Sequence, residues 1–175
     1  MAYRDLEQEL CSIARPISVL GERWTLIVLR QAFLGARRFE DFQSSLGISR
    51  SLLADRLGRL VAAGVLERRP YQSRQRTRQE YRLTDKGRDL WPVLMALRAW
   101  GDRYMAPDGP FVVYRHRGCD GVVDVEYSCA RCGQQHVSVR DVMPEAGPGA
   151  RAARRGLADD ARADTKPRPA DIRGR

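Results

Sequence analysis

The stretch GISRSLLADRLGRL, Gly47 to Leu60, decides how this chain is read. Leu53, Leu57, Leu60 and Val61 fall on one face of a helix at the four, seven and eight spacing, so that side belongs to a core. Ser49 is a good N-cap for the helix that follows. The opposite side holds Ser51, Ala54, Asp55, Gly58 and Arg59, with Arg50 in the first turn. Small residues there let the helix approach another surface closely, and its arginines suit a polyanion. Arg56 lies nearer the apolar side and is expected to be an ion-pair partner within the domain.

Upstream, LEQELCSIARPISVLG is an amphipathic stretch that Pro16 interrupts and Gly21 ends. ERWTLIVLRQAFLG is apolar on most sides, which marks a central buried helix. RRFEDFQSSLG reads as a short helix closing at Gly47; Arg37 and Arg38 at its start either hold a phosphate or are simply exposed.

Downstream of Gly64 the period changes. VLERRPY and QEYRLT are strand-like, and the polar connection QSRQRTR between them carries Arg74, Arg76 and Arg78. From Glu67 to Arg82 there are six arginines against two glutamates. Thr84 is expected to cap a long helix, DKGRDLWPVLMALRAWGDRYM, with Leu90, Leu94, Leu97 and Tyr104 along one face and a kink at Pro92.

Two helices joined by a short turn, followed by a hairpin with a basic tip, describe a winged helix-turn-helix. In that geometry the second helix presents its N-terminal residues to base edges in the major groove, and the hairpin reaches phosphates or the minor groove. The expected DNA-contacting residues are Ser49, Arg50, Ser51 and Arg59 on helix 49–63 and Arg74, Arg76 and Arg78 on a wing spanning 71–80.

The segments GERWTL, RRFEDF, LADRLGRL and YRLTDKG carry a resemblance to the HxlR family of bacterial winged-helix transcription regulators, running from about Cys11 to Arg103. The resemblance implies a homodimer, paired through the first and last long helices, on a two-fold symmetric operator. The residues agree independently, since the apolar faces of both helices need a partner. The resemblance also implies that a cysteine near the N-terminus acts as a redox switch in some members, and Cys11 matches that position. The wing departs from the pattern: many relatives carry proline there, and QSRQRTRQ has none.

Composition sets the outer bounds. The 175 residues suffice for a hydrophobic core in one domain with a small appendage. The formal net charge is +9 and the basic excess is arginine, whose planar fork suits phosphates and guanine edges. No apolar run is long enough to span a bilayer, and the N-terminus carries acids where a signal peptide has a basic start, so a cytoplasmic protein without membrane association is expected.

Cys119, Cys129 and Cys132 crowd into HRGCDGVVDVEYSCARCG. His116 and Cys119 have two residues between them, as do Cys129 and Cys132, and nine residues separate the pairs. Such spacing lets each pair turn onto one ion, and two pairs complete a tetrahedral Zn2+ site. The expected ligands are His116, Cys119, Cys129 and Cys132, with His136 as a competing fourth. Buried cysteines or a metal-free thiol sensor are the other readings of the same residues. The CxxC pair has no strand-helix-strand frame around it, and no enzyme is expected.

The sequence therefore predicts a mainly α fold with a β-hairpin wing (α+β). A winged helix-turn-helix domain occupies 1–108, a β-rich, zinc-ribbon-like cysteine-knuckle appendage 109–143 and a disordered tail 144–175. The predicted function is that of a dimeric repressor of transcription binding duplex DNA at an inverted repeat. A sensor regulator switched through Cys11 or the knuckle by a redox, metal or unknown small-molecule effector is an alternative, separated by peroxide or chelator titration of DNA binding. An RNA-binding or scaffold protein is a second, separated by competition between duplex DNA and single-stranded RNA.

Overall fold

The computed structural model describes residues 10–73 and 76–152. In chain order the elements are α1 (Ala14–Leu20), α2 (Thr25–Phe33), α3 (Phe39–Leu46), α4 (Arg50–Ala62), β1 (Leu66–Ser73), β2 (Arg76–Leu83), α5 (Asp85–Arg88) and α6 (Trp91–Met105), with a short 3-10 turn at Val139–Asp141. Four helices and an antiparallel hairpin come in the expected order, two helices follow the hairpin where one was expected, and no helix among the described residues is long and apolar enough to cross a membrane.

The core forms where the apolar faces of α2, α3 and α4 meet. Val28 and Leu29 from α2, Phe42 from α3 and Leu53, Leu57 and Leu60 from α4 are fully buried. The leucine spacing of α4 thus closes the domain, while Val61, at the edge of that face, is only partly buried. Leu66, Tyr81 and Leu83 extend the core under the hairpin.

Gly47 makes the turn between α3 and α4. Its φ of 63° is the left-handed conformation that glycine adopts without steric cost, and its N–H closes α3 on the Gln43 carbonyl at 2.9 Å. Two residues later the Ser49 hydroxyl accepts the Leu52 N–H, which starts α4.

The end of the domain differs from the sequence expectation. Thr84 does act as an N-cap, accepting the Gly87 N–H at 3.0 Å, but the helix it starts is the four-residue α5. Pro92 lies in the first turn of the separate α6, where its missing N–H leaves no helical bond unmade, so it starts a helix where a kink was expected. The inward side chains of α6 are Leu94 and Met95, whereas Leu97 and Tyr104 face outward.

Gly87 permits the tight seat of α5 against the start of the wing. A Cβ there would stand 2.1 Å from the Val65 carbonyl oxygen. Gly87→Ala is therefore expected to destabilise the domain by about 2–3 kcal/mol. The thermal midpoint should fall by about 4–12 °C in a chain of this size, and an unchanged melting curve would show that this packing is loose.

Beyond α6 the chain returns to the domain. Tyr114 meets the Trp91 ring edge-on at 5.1 Å, Trp91 also packs on Phe33, and Arg98 donates to the Val123 carbonyl at 3.2 Å. The segment expected to be β-rich and zinc-ribbon-like is mostly irregular among the described residues: one isolated antiparallel bridge, Arg115↔Val122, and hydrogen-bonded turns carry its cysteines, because its few apolar side chains build no sheet face. The chain from 153 onward, most of the segment expected to be a disordered tail, lies outside the described residues, and Gly147 is followed by a helical turn at 148–152.

Candidate nucleic-acid interface

The first turn of α4 is exposed at Arg50, Ser51, Ala54 and Asp55. Ser49 Oγ is committed to capping and lies 3.2 Å from Ser51 Oγ, so the two hydroxyls form a small polar cluster at the helix start. The Arg50 guanidinium lies 4.9 Å above the Phe39 ring and donates to Gln43 Oε1 at 3.0 Å. A ring below and an amide beside it hold a long side chain at the mouth of the helix-turn-helix, with less rotamer entropy left to lose on binding.

Arg59, assigned to the same surface from the sequence, is half exposed but engaged. Its guanidinium pairs with Asp55 at 3.1 Å and reaches Glu22 at 3.9 Å. Arg56, with its side chain only 12% exposed, bridges Glu22 at 3.0 Å and Asp55 at 2.9 Å, the ion-pair role expected of it. The two arginines and two carboxylates tie α4 to the turn before α2, and the Arg59 side chain remains 52% exposed.

The wing is longer than the expected 71–80, and its connection is shorter. The ladder runs from Leu66↔Leu83 out to Ser73↔Arg76, so most of QSRQRTR is paired strand. Side chains alternate across the sheet. Leu66, Tyr81 and Leu83 point to the core, which puts Tyr71, Arg76 and Arg78 on the outer face. Arg74 lies outside the described residues.

On that outer face two arginines meet at a tyrosine. Arg38 stacks over Tyr71 at 4.8 Å, Tyr71 is paired across the ladder with Arg78, and Arg78 approaches Glu40 of α3 at 3.6 Å. Arg76 is exposed, and among the described residues no carboxylate pairs with it. Arg38 is positioned by the start of α3: Asp41 Oδ2 accepts the Arg38 N–H at 2.8 Å, and the neighbouring Arg37 carbonyl accepts the Tyr81 N–H at 2.7 Å. The wing, the start of α3 and the start of α4 thus form one basic rim. The sequence reading left Arg38 undecided and passed over Tyr71 and Gln43; the RRF dipeptide-plus-aromatic next to a wing tyrosine is the signal that could have found them.

A helix-turn-helix with its second helix presented at the N-terminal end, and a basic hairpin beside it, is the architecture of a winged-helix regulator. The family model for HxlR-like helix-turn-helix proteins matches residues 19–109. The chain belongs to the HxlR family. Among its relatives, the HTH-type transcriptional regulator Rv3095 of Mycobacterium tuberculosis is 44% identical over 155 residues, covering 87% of this chain and 97% of that protein. The HTH-type transcriptional regulator YvaP of Bacillus subtilis is 30% identical over 103 residues, 58% of this chain and 94% of its own. The crystal structure of the transcription factor PA1607 superposes with a TM-score of 0.72 at 38% identity, covering 82% of this chain and 99% of that one. This HxlR-family chain is a helix-turn-helix transcription regulator, and its likeness to Rv3095 is too long to end with the winged helix, so it reaches the appendage.

The remaining sequence candidates are also placed. Cys11 is exposed before α1, its sulfur 3.4 Å from the N–H groups of Ile13 and Ala14. His116 Nδ1 lies 3.4 Å from Cys119 Sγ. Cys129 is next to Cys132, and its thiol pKa is lowered by the backbone N–H groups of Cys132 and Arg131 and by the Cys132 side chain. Among the described residues no three or more ligating side chains converge on one point. His136 is held elsewhere: Glu126 Oε1 accepts its N–H at 3.1 Å and lies 3.3 Å from its Nδ1.

Proposed function

We propose that this regulator binds duplex DNA as a homodimer and represses transcription by occupying an inverted-repeat operator, without catalytic activity of its own. The first turn of α4, with Arg50 and Ser51, enters the major groove, and the outer face of the wing, with Arg76 and Arg78, lies along phosphates. Arg38 reaches the same backbone from the start of α3. Arg59, on the same exposed side of α4, is held in place by Asp55 and Glu22.

The observation that carries this reading is the continuous basic rim. Arg50, Arg38 and Arg78 come from three elements, and Phe39 and Tyr71 hold two of them by stacking on their rings. Exposed like charges gathered in this way repel one another and gain from an anion between them.

The homodimer rests on a second feature. On α6, Val93, Leu97, Trp100 and Tyr104 recur at helical spacing and are each about half exposed or more. Leu10, Ile13 and Ile17 make a matching exposed stripe before and along α1. Exposed apolar stripes on the first and last helices mark an association surface.

The wing assignment is tested by measuring duplex affinity across a salt series. Replacing Arg76 and Arg78 with alanine removes two phosphate contacts, and the slope of log affinity against log salt should flatten by about 2, at about 0.9 per contact. Binding to unrelated sequences should weaken equally. An unchanged slope would mean that the wing does not touch the backbone.

A further inference from the structure

We propose that the appendage is a zinc-binding module in which His116, Cys119, Cys129 and Cys132 hold one Zn2+ ion per chain. Both ligand pairs occupy the same backbone turn. The His116 N–H donates to the Gly121 carbonyl at 2.8 Å and the Asp120 N–H returns to the His116 carbonyl at 2.8 Å. In the second turn the Cys129 N–H donates to the Gln134 carbonyl at 2.9 Å and the Gly133 N–H returns to the Cys129 carbonyl at 2.9 Å. In both, the residue after the second ligand is left-handed: Asp120 has φ 59° and Gly133 φ 72°. Two unrelated sequences, HRGCDG and CARCGQ, fold into one knuckle geometry that folds each ligand pair back on itself.

Glycines leave space around the donors. A Cβ at Gly118 would stand 3.0 Å from His116 Cε1, and one at Gly121 would stand 3.3 Å from Cys119 Sγ. Asp120 keeps a conformation uncommon for a side chain with a Cβ. Both features fit a turn shaped for its ligands.

The appendage also lacks an apolar interior that would account for its order. Phe111, Val122, Tyr127, Val139 and Met143 are exposed, and among its described residues only Tyr114 and Val125 pack on the domain core. A segment of this size without a core needs another source of folding free energy, and a structural zinc ion supplies it. As three S–Zn bonds form, three thiol protons pass to the buffer, and His116 donates a neutral ring nitrogen. The four donors do not share one centre among the described residues, so holding a single ion would require the two knuckles to close on it. Glu126 Oε1 engages both the N–H and the Nδ1 of His136, whereas His116 Nδ1 already lies 3.4 Å from Cys119 Sγ, which favours His116 as the fourth ligand.

The full chain, purified under reducing conditions without chelator, should contain one zinc ion per chain by mass spectrometry of the metal. Exchange for Co2+ should give the absorption of a tetrahedral site with three thiolates. Cys119→Ser and Cys129→Ser, one in each knuckle, should each weaken metal binding by more than about 100-fold, as should His116→Ala, whereas His136→Ala should leave it unchanged. The core of α2, α3 and α4 lies outside the appendage, so the helical circular dichroism of each variant should persist and separate ligand loss from misfolding. A chain that takes up no zinc or Co2+, or metal that survives removal of either knuckle's cysteine, would overturn the proposal.

Discussion

Glutamate at both Leu97 and Trp100 is expected to separate the protomers and weaken operator binding by about 10²–10⁴-fold. Both side chains are more than half exposed in the single chain, at 52% and 55%, so the change removes no core contact and the winged helix should keep its melting temperature. In the proposed dimer the same positions would bring two carboxylates per protomer into an apolar seam, where their desolvation is costly. A monomer still presents α4 and the wing to one half-site, but loses the gain from engaging the second half-site within one assembly. Sedimentation gives the oligomeric state, and titration of an inverted repeat against a single half-site gives the coupling. A variant that still sediments as a dimer would place the interface on another face.

Replacing Arg50 or Ser51 with alanine should change which sequence is preferred more than how tightly DNA is held overall. A good contact with a base edge discriminates by about 1–3 kcal/mol, roughly 5- to 150-fold. Arg50 should show the larger effect, since Phe39 and Gln43 already hold its guanidinium at the helix mouth. Phe39→Leu and Gln43→Ala provide the check: each leaves Arg50 in place but releases it, and each should reproduce part of the loss in discrimination seen for Arg50→Ala. The measurement is affinity for the operator against single-base variants. Discrimination that survives loss of both Arg50 and Ser51 would assign base reading to another surface.

Much of this was legible in the sequence. The leucine period of α4, the Ser49 cap and the glycine turn before it are local signals, and the structure keeps all three because each satisfies a local requirement of the backbone or the core. The wing's existence was legible from Leu66, Tyr81 and Leu83, but its extent was not. Residues 72, 73 and 76–78 are polar on both sides of the ladder, so they read as a loop, while their pairing is carried by main-chain hydrogen bonds that leave no mark on side-chain pattern. Pro92 was read as a kink because a proline breaks an established helix, yet at the start of one it costs nothing. Glu22, the partner of Arg56 and Arg59, comes from a turn far away in sequence, and no local pattern announces such a contact. The stacking of Arg38 on Tyr71 was hidden for the same reason.

Reading of two half-sites by a symmetric pair of α4 helices is tested most directly by selecting duplexes from a random pool with the 175-residue chain at near-physiological salt, and sequencing those retained. The prediction is an enriched inverted repeat with half-site centres about 10 base pairs apart or at a multiple of that spacing. Enrichment of a single unrepeated site, or none under reducing conditions with zinc present, would contradict it.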